Sequence, residues 1–321
     1  MKRILFFIAI IISIAACKKN KPTIDTPHEP EFHTSDIALF WDVFDNSDAS
    51  FSSQKFKANY INKGTEGLKD YAALKNLAPA LQSTLTTNGY LEYYNSVREN
   101  TLDLSATIQQ SEAAFSQLKA IYSATKIPSV YFLIGALTAG GKVSDNGLLI
   151  AVEMFSKNED TALDDLDEWH QNVIRNKAFL PSIVMHEMTH IQQVFEPQNL
   201  IFATTLEQSI REGMADFVSH YFLSDKPFTN GHLHTYGNPI EEDLWNEFKT
   251  QMNSNYQNTE WLYTGSETSE GHPADMGYYI GYKILEAYST TFDNADDAIK
   301  AMLSATNYKE IFEISRYEDK F

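Results

Sequence analysis

Between Leu104 and Tyr122 the apolar residues Ile108, Phe115, Leu118 and Tyr122 recur at three- and four-residue spacings, with a longer gap around Ser111. That period predicts an amphipathic helix. Upstream, Asp36 to Tyr60 begins helically and is dense in aromatics (Phe40, Trp41, Phe44, Phe51, Phe56, Tyr60). The period then changes. Ser129 to Leu137 and Gly147 to Phe155 are short apolar runs rich in strand formers, and Thr138 to Asn146 between them is turn-forming. The pattern predicts that the two runs pair as a β-hairpin. Beyond them the chain reads helical almost to its end. Thr204-x-x-Glu207 fits a capping box, as does Asn238-Pro239-x-Glu241, and Ala295, Ala298, Ile299, Met302 and Leu303 mark a further amphipathic helix. The expected fold class is α+β, predominantly helical, with a small β-sheet or hairpin.

The first residues stand outside that pattern. Met1-Lys2-Arg3 is basic, and Ile4 to Ala16 is apolar except for Ser13. As a helix this run spans about 20 Å, short of the roughly 30 Å hydrocarbon core, so it reads as a secretory signal and not a membrane span. The chain's one cysteine ends it, in Ile14-Ala15-Ala16-Cys17. This resembles a bacterial lipobox, where cleavage precedes a cysteine that carries lipid. The alternative is a plain signal with a chance cysteine. Lys18 to about His33 is Lys, Pro, Glu and Thr with almost nothing apolar, the composition of a tether. The expected organisation is a lipoprotein signal over 1–16, a flexible tether over 17–34 and one domain over 35–321, with no internal repeat. A lipid on Cys17 implies attachment to a membrane of the bacterial cell envelope. Lys18 lacks the aspartate linked to inner-membrane retention and no acidic run follows it, which points to the outer membrane and its periplasmic face.

Charge narrows the partners. Lys+Arg 25 against Asp+Glu 43 gives −18 over 321 residues. So acidic a surface repels phosphate backbones, and nucleic acid is excluded as a partner. A single cysteine forms no internal disulfide, so burial must hold the fold.

The chemistry lies in Pro181 to Pro197, which contains His186-Glu187-Met188-Thr189-His190. Pro181 suits a first helical turn and Pro197 forces a stop, predicting about four turns between them. Residues four apart share a helix face, so His186 and His190 can both reach one Zn²⁺. Glu187 then falls beside the open coordination position, where it can take a proton from metal-bound water. Two histidines and a water leave tetrahedral zinc one ligand short. The helix from Thr205 to about Leu223 offers Glu207 and Glu212, with Leu206, Ile210, Met214, Phe217 and Tyr221 as its buried stripe. Glu212 is followed four residues later by Asp216, able to orient a ligating histidine, whereas Glu207 serves the helix cap. Glu212 is therefore the expected third ligand.

This spacing resembles the gluzincin pattern of zinc metallopeptidases, in which a helix pair holds zinc by two His and one Glu. Tyr60 to Leu68, Val130 to Gly135, Gly147 to Glu153 and Gly277 to Tyr282 are similar to the predicted zinc-dependent proteases with a domain of unknown function numbered 2268, relatives of gliding-motility lipoproteins of Bacteroidetes. The resemblance covers nearly all of the mature chain. It implies a zincin-like helix pair and Zn²⁺ as cofactor and supplies no particular substrate; the metallopeptidase reading itself expects a peptide or protein. It also implies a His or Tyr that steadies the oxyanion opposite Glu187. Tyr278 and Tyr282, on one face of a helix starting near Pro273 or Asp275, and His272 are the candidates; the alternative is that the tyrosines are core. Gluzincins also pair an edge strand with the substrate backbone, and Gly147 to Phe155 is the candidate, unless it is an ordinary core strand. His232-x-His234 reads as a solvated loop, His220 as structural, and the acidic run Glu159 to Glu168 as a solvated helix start.

Two functions remain: a lipid-anchored zinc metallopeptidase of the cell envelope, or an assembly lipoprotein with a structural zinc site. Only turnover needs Glu187, and its presence favours the enzyme.

Overall fold

The computed structural model describes residues 29–194, 201–264 and 271–321. The signal expected over 1–16, Cys17 and most of the tether lie outside the described residues. Strand β1 (Phe32–His33) precedes helices α1 (Ser35–Asp45), α2 (Ser53–Asn59), α3 (Glu66–Lys75), α4 (Leu77–Thr86), α5 (Tyr90–Leu102) and α6 (Ser105–Ile121). Strands β2 (Ser129–Leu133), β3 (Gly141–Ser144) and β4 (Gly147–Ala151) follow. The remainder is helical: α7 (Glu168–Val173), α8 (Leu180–Gln192), α9 (Thr205–Phe222), α10 (Gly231–Gly237), α11 (Glu241–Gln251), α12 (Met276–Ser289), α13 (Ala295–Ser304) and α14 (Tyr308–Ser315). Among the described residues the protein is predominantly helical with one small mixed sheet, ordered β1-β2-β4-β3.

The sheet corrects the expected hairpin. β2 and β4 pair in parallel, from Ser129 opposite Gly147 to Leu133 opposite Ala151. The antiparallel partner of β4 is β3, which lies inside the stretch read as a turn; the tight turn is only Asp145-Asn146. All five residues of β4 are buried, as an interior strand apolar on both faces requires. β3 instead carries Lys142 and Ser144, polar residues that suit a sheet edge and disguise a strand as a loop.

β1 corrects the tether. Phe32 pairs with Val130 and stacks on Phe115 and Phe132 at 6.1 and 6.3 Å, so the fold begins before residue 35. Phe32 and His33, which stacks on Tyr131 at 4.5 Å, seat it. The Asn238 cap does not form either. Asn238–Ile240 is a 3-10 turn, and Asn238 Oδ1 accepts from the Tyr279 hydroxyl at 3.2 Å instead of from a helix amide. The Thr204/Glu207 capping box does form, at the start of α9.

The crossover from β2 to β3 has little regular structure, and side chains bind its backbone. The Tyr60 hydroxyl donates to Ile134 O at 2.7 Å, Tyr94 to Gly135 O at 2.8 Å and Tyr71 to Ala139 O at 3.0 Å. The buried Glu153 carboxylate accepts from the Gly135 and Leu137 amides at 2.9 and 3.3 Å. Its burial pushes the carboxyl up to about 7, against the pull of those two amides. This frame delivers Gly141, the first residue of β3, against α8. A Cβ there would stand 2.5 Å from Glu187 Oε1, so only glycine lets the strand come so close.

On the far side, α9 and α12 touch backbone to backbone. A Cβ on Gly281 would lie 1.8 Å from Ser209 O, and one on Gly213 would lie 2.2 Å from Tyr282 N. The contact brings α12 alongside Glu212, the residue before Gly213.

Candidate metal centre

α8 begins with Pro181 in its first turn and is buried along almost its whole length. It ends at Gln192, short of the stop expected at Pro197. Gln193 leaves the helix in extended conformation because its side chain is held twice. Its Nε2 donates to Arg211 O at 2.8 Å, and its Oε1 accepts from His190 Nδ1 at 2.8 Å.

His186 and His190 project toward α9, which supplies Glu212. One ligand atom from each of the three lies within 4.8 Å of the others. The two Nε2 atoms are 3.2 Å apart, and Glu212 Oε2 stands 3.2 Å from His190 Nε2 and 3.5 Å from His186 Nε2. Glu207 is elsewhere, in its capping box. Asp216 Oδ1 accepts from His186 Nδ1 at 2.8 Å, and Asn230 Nδ2 holds its other oxygen at 2.7 Å. With both Nδ1 atoms donating outward, both Nε2 atoms face a carboxylate oxygen. The cluster therefore calls for a proton or a cation between these atoms.

The electrostatics show the same demand. Burial alone would lower the His186 imidazole, yet Asp216, Glu212 and the Glu187 charge outweigh it and raise the pKa to about 10. Burial would raise the Glu212 carboxyl, but His190, His186 and Arg211 hold it well below the usual carboxylate range. Two imidazole nitrogens and one carboxylate oxygen, buried and pre-oriented, fit zinc in ligand type and number.

Glu187 is 8% exposed, with its carboxylate against Gly141 at the sheet edge. Tyr278 on α12 lies over the site, its ring stacked on His186 with centroids 6.2 Å apart. The other two oxyanion candidates do not join it. Tyr282, one turn later, sits in an aromatic cluster with Phe217, His220, Phe228 and His234, where its ring completes packing. His272 packs on Trp261 at 4.8 Å and lies 3.6 Å from Glu247, because the chain before α12 turns it toward α11. His234 corrects the solvated reading as well: α10 places it between Phe228, Tyr279 and Tyr282. Tyr221 leaves the expected buried stripe of α9. It is 36% exposed, and its hydroxyl donates to Asp296 Oδ1.

Tyr263, Arg211, Gln208, Gln193 and Asn230 also reach the site residues, and sequence reasoning missed them. Arg211 Nη1, the Tyr263 hydroxyl and Gln208 Nε2 all donate to Glu212 Oε1, at 2.6, 2.7 and 3.2 Å. Gln208, one turn before Glu212, carried a helical signal for this contact. Tyr263, distant in sequence and in a non-helical segment, carried none.

Fold and site together define a helical protein with a buried His-His-Glu cluster and a carboxylate beside it. A family model described as gliding motility protein GldB, a lipoprotein family, matches residues 18–319, and the chain belongs to that family. No curated protein and no solved structure matches it. Among the described residues no helix is long and apolar enough to cross a membrane.

Proposed function

We propose that this protein is a zinc metallopeptidase, held to the cell envelope by a lipid on Cys17 and serving gliding motility. The observation that carries the reading is Glu187, which stands beside a complete donor set of His186, His190 and Glu212. Held by His186, His190 and Glu212, zinc would supply Lewis-acid polarisation of a carbonyl and acidify a water. Glu187 takes the proton from the attacking water and passes it to the leaving amine. Tyr278 is the group best placed to donate to the developing oxyanion.

The substrate-pairing strand is β3, not the Gly147 to Phe155 run expected from the sequence, since β4 is paired on both sides. Ala151 N donates to Gly140 O, and by the alternation of an antiparallel ladder Gly141 and Val143 turn their backbone groups to the free edge. An extended peptide there would lie next to Glu187. The substrate is therefore a peptide or an unfolded protein segment that binds through its main chain.

The second reading, a motility scaffold with a structural zinc, draws support from the burial of the site, with His186 only 5% exposed. Digestion of a broad peptide library by purified protein, wild type against Glu187→Ala, tests the enzyme. Cleavage lost in the variant supports it, and no cleavage by zinc-loaded wild type overturns it.

A further inference from the structure

The donors around Glu212 divide between its two oxygens. Oε1 receives Arg211 Nη1, the Tyr263 hydroxyl and Gln208 Nε2 at 2.6, 2.7 and 3.2 Å. Oε2 alone faces the histidines, at 3.2 and 3.5 Å. An ionised carboxylate oxygen has about two lone-pair sites, so three donors on Oε1 leave it nothing to offer a cation. We infer that Arg211 and Tyr263 are positioning residues that make Glu212 a one-oxygen ligand and so fit the site to zinc rather than to larger oxygen-seeking cations. The inference rests on the metal reading above. Zinc is content with four donors and an open position for water, whereas calcium collects six to eight oxygens and commonly takes both from a carboxylate.

The way Tyr263 is held supports the assignment. Its backbone is left-handed, at φ +61°, a conformation that side-chain-bearing residues seldom adopt and that persists only where the surroundings impose it. Asp275, at the head of α12, imposes it by accepting from the Tyr263 amide. The hydroxyl itself bridges two partners, accepting from Gln208 Nε2 at 2.5 Å while donating to Glu212. The Tyr263 side chain is half exposed, so its hydroxyl reaches Glu212 from the surface side of the chain. Arg211 adds a fixed positive charge immediately before Glu212 in α9. A carboxylate freed from both would be able to rotate and offer two oxygens.

The test uses the whole mature chain with zinc and cobalt(II) as probes. Zinc affinity is measured by chelator competition in wild type, Tyr263→Phe, Arg211→Gln and the double variant. The visible bands of the cobalt-loaded proteins report coordination number, being intense for four ligands and weak for more. The double variant is expected to bind zinc about 10- to 100-fold more weakly, the usual cost of losing groups that orient a ligand. Its cobalt bands are expected to weaken as Glu212 turns to bind through both oxygens. Tyr263→Phe, which removes one oxygen and leaves the ring, should show a smaller change in the same direction if the double variant does not fold. Wild-type affinity and wild-type bands in every folded variant would overturn the inference. So would weaker binding with unchanged bands, because the two residues would then merely support the fold. Wild-type protein that binds neither metal defeats the metal reading itself, before any variant is made.

Discussion

His186 Nδ1 and Asp216 Oδ1 lie 2.8 Å apart, joining α8 to α9 through the side chain that orients a ligand. The bond fixes the tautomer that aims Nε2 at His190 and Glu212. Asp216→Asn removes the charge and leaves the amide two ways to face. We expect zinc affinity to fall about 10- to 100-fold with little loss of secondary structure. Chelator competition measures this, and wild-type affinity would contradict the orienting role.

The two glutamates of α9 make a paired test. Glu212→Gln and His190→Ala should each abolish stoichiometric zinc in purified protein. Glu207→Gln should keep full zinc and cost little stability, because a glutamine oxygen can still accept from the Thr204 amide in the capping box. Metal analysis and urea unfolding on the same samples separate the two roles, and the opposite ranking would transfer the ligand to Glu207.

Glu153 makes stability depend on pH. Its folded pKa of about 7 stands above the 4.5 of a free glutamate, so the folded state holds the extra proton between those values. The stability of wild type relative to Glu153→Gln is fully present below about pH 4.5 and declines as pH rises through 7. The decline is on the order of 3 kcal/mol at about 1.4 kcal/mol per unit. Urea unfolding of both proteins from pH 5 to 8 tests it, and parallel curves would show that Glu153 titrates normally.

The contact between α9 and α12 leaves no room for a methyl group. Gly281→Ala would place Cβ 1.8 Å from Ser209 O, a backbone atom that cannot step aside alone. Destabilisation should reach or exceed the upper end of the 1–3 kcal/mol typical of overpacking, read as a lowered melting temperature. An unchanged melting temperature would mean the helices are less tightly apposed.

The sequence revealed the parts of this protein that have a period or a fixed spacing. The amphipathic helices from Ser105 to Ile121 and from Ala295 to Ser304 were readable because their apolar residues repeat every turn. The clustering of His186, His190, Glu212 and Asp216 was readable because His186 and His190, and Glu212 and Asp216, each lie four residues apart on a helix. What lay outside such rules was missed. β3 was hidden because an edge strand carries Gly, Lys and Ser, residues that also make loops. Tyr263 was hidden because a coil residue meets Glu212 only after α12 and α9 have packed. Tyr282 and His272 were misplaced because a helix face names several neighbours, and only packing selects among them.

Membrane attachment is a separate question. Cys17→Ser should yield a protein that no longer enters the detergent phase and that keeps or mis-cleaves its first residues. Unchanged partitioning would show that something other than a lipid on Cys17 holds it.

The most direct test of the enzyme is Glu187→Gln. The amide keeps the shape and reach of the side chain but accepts no proton at neutral pH. Glu187 is outside the donor set, so zinc content and melting temperature should match wild type. Peptide cleavage is expected to fall by about 10²–10⁴-fold, and gliding in cells carrying the variant to fall with it. Full motility in the Glu187→Gln strain, with His190→Ala immotile, would contradict the peptidase and leave a zinc-dependent scaffold.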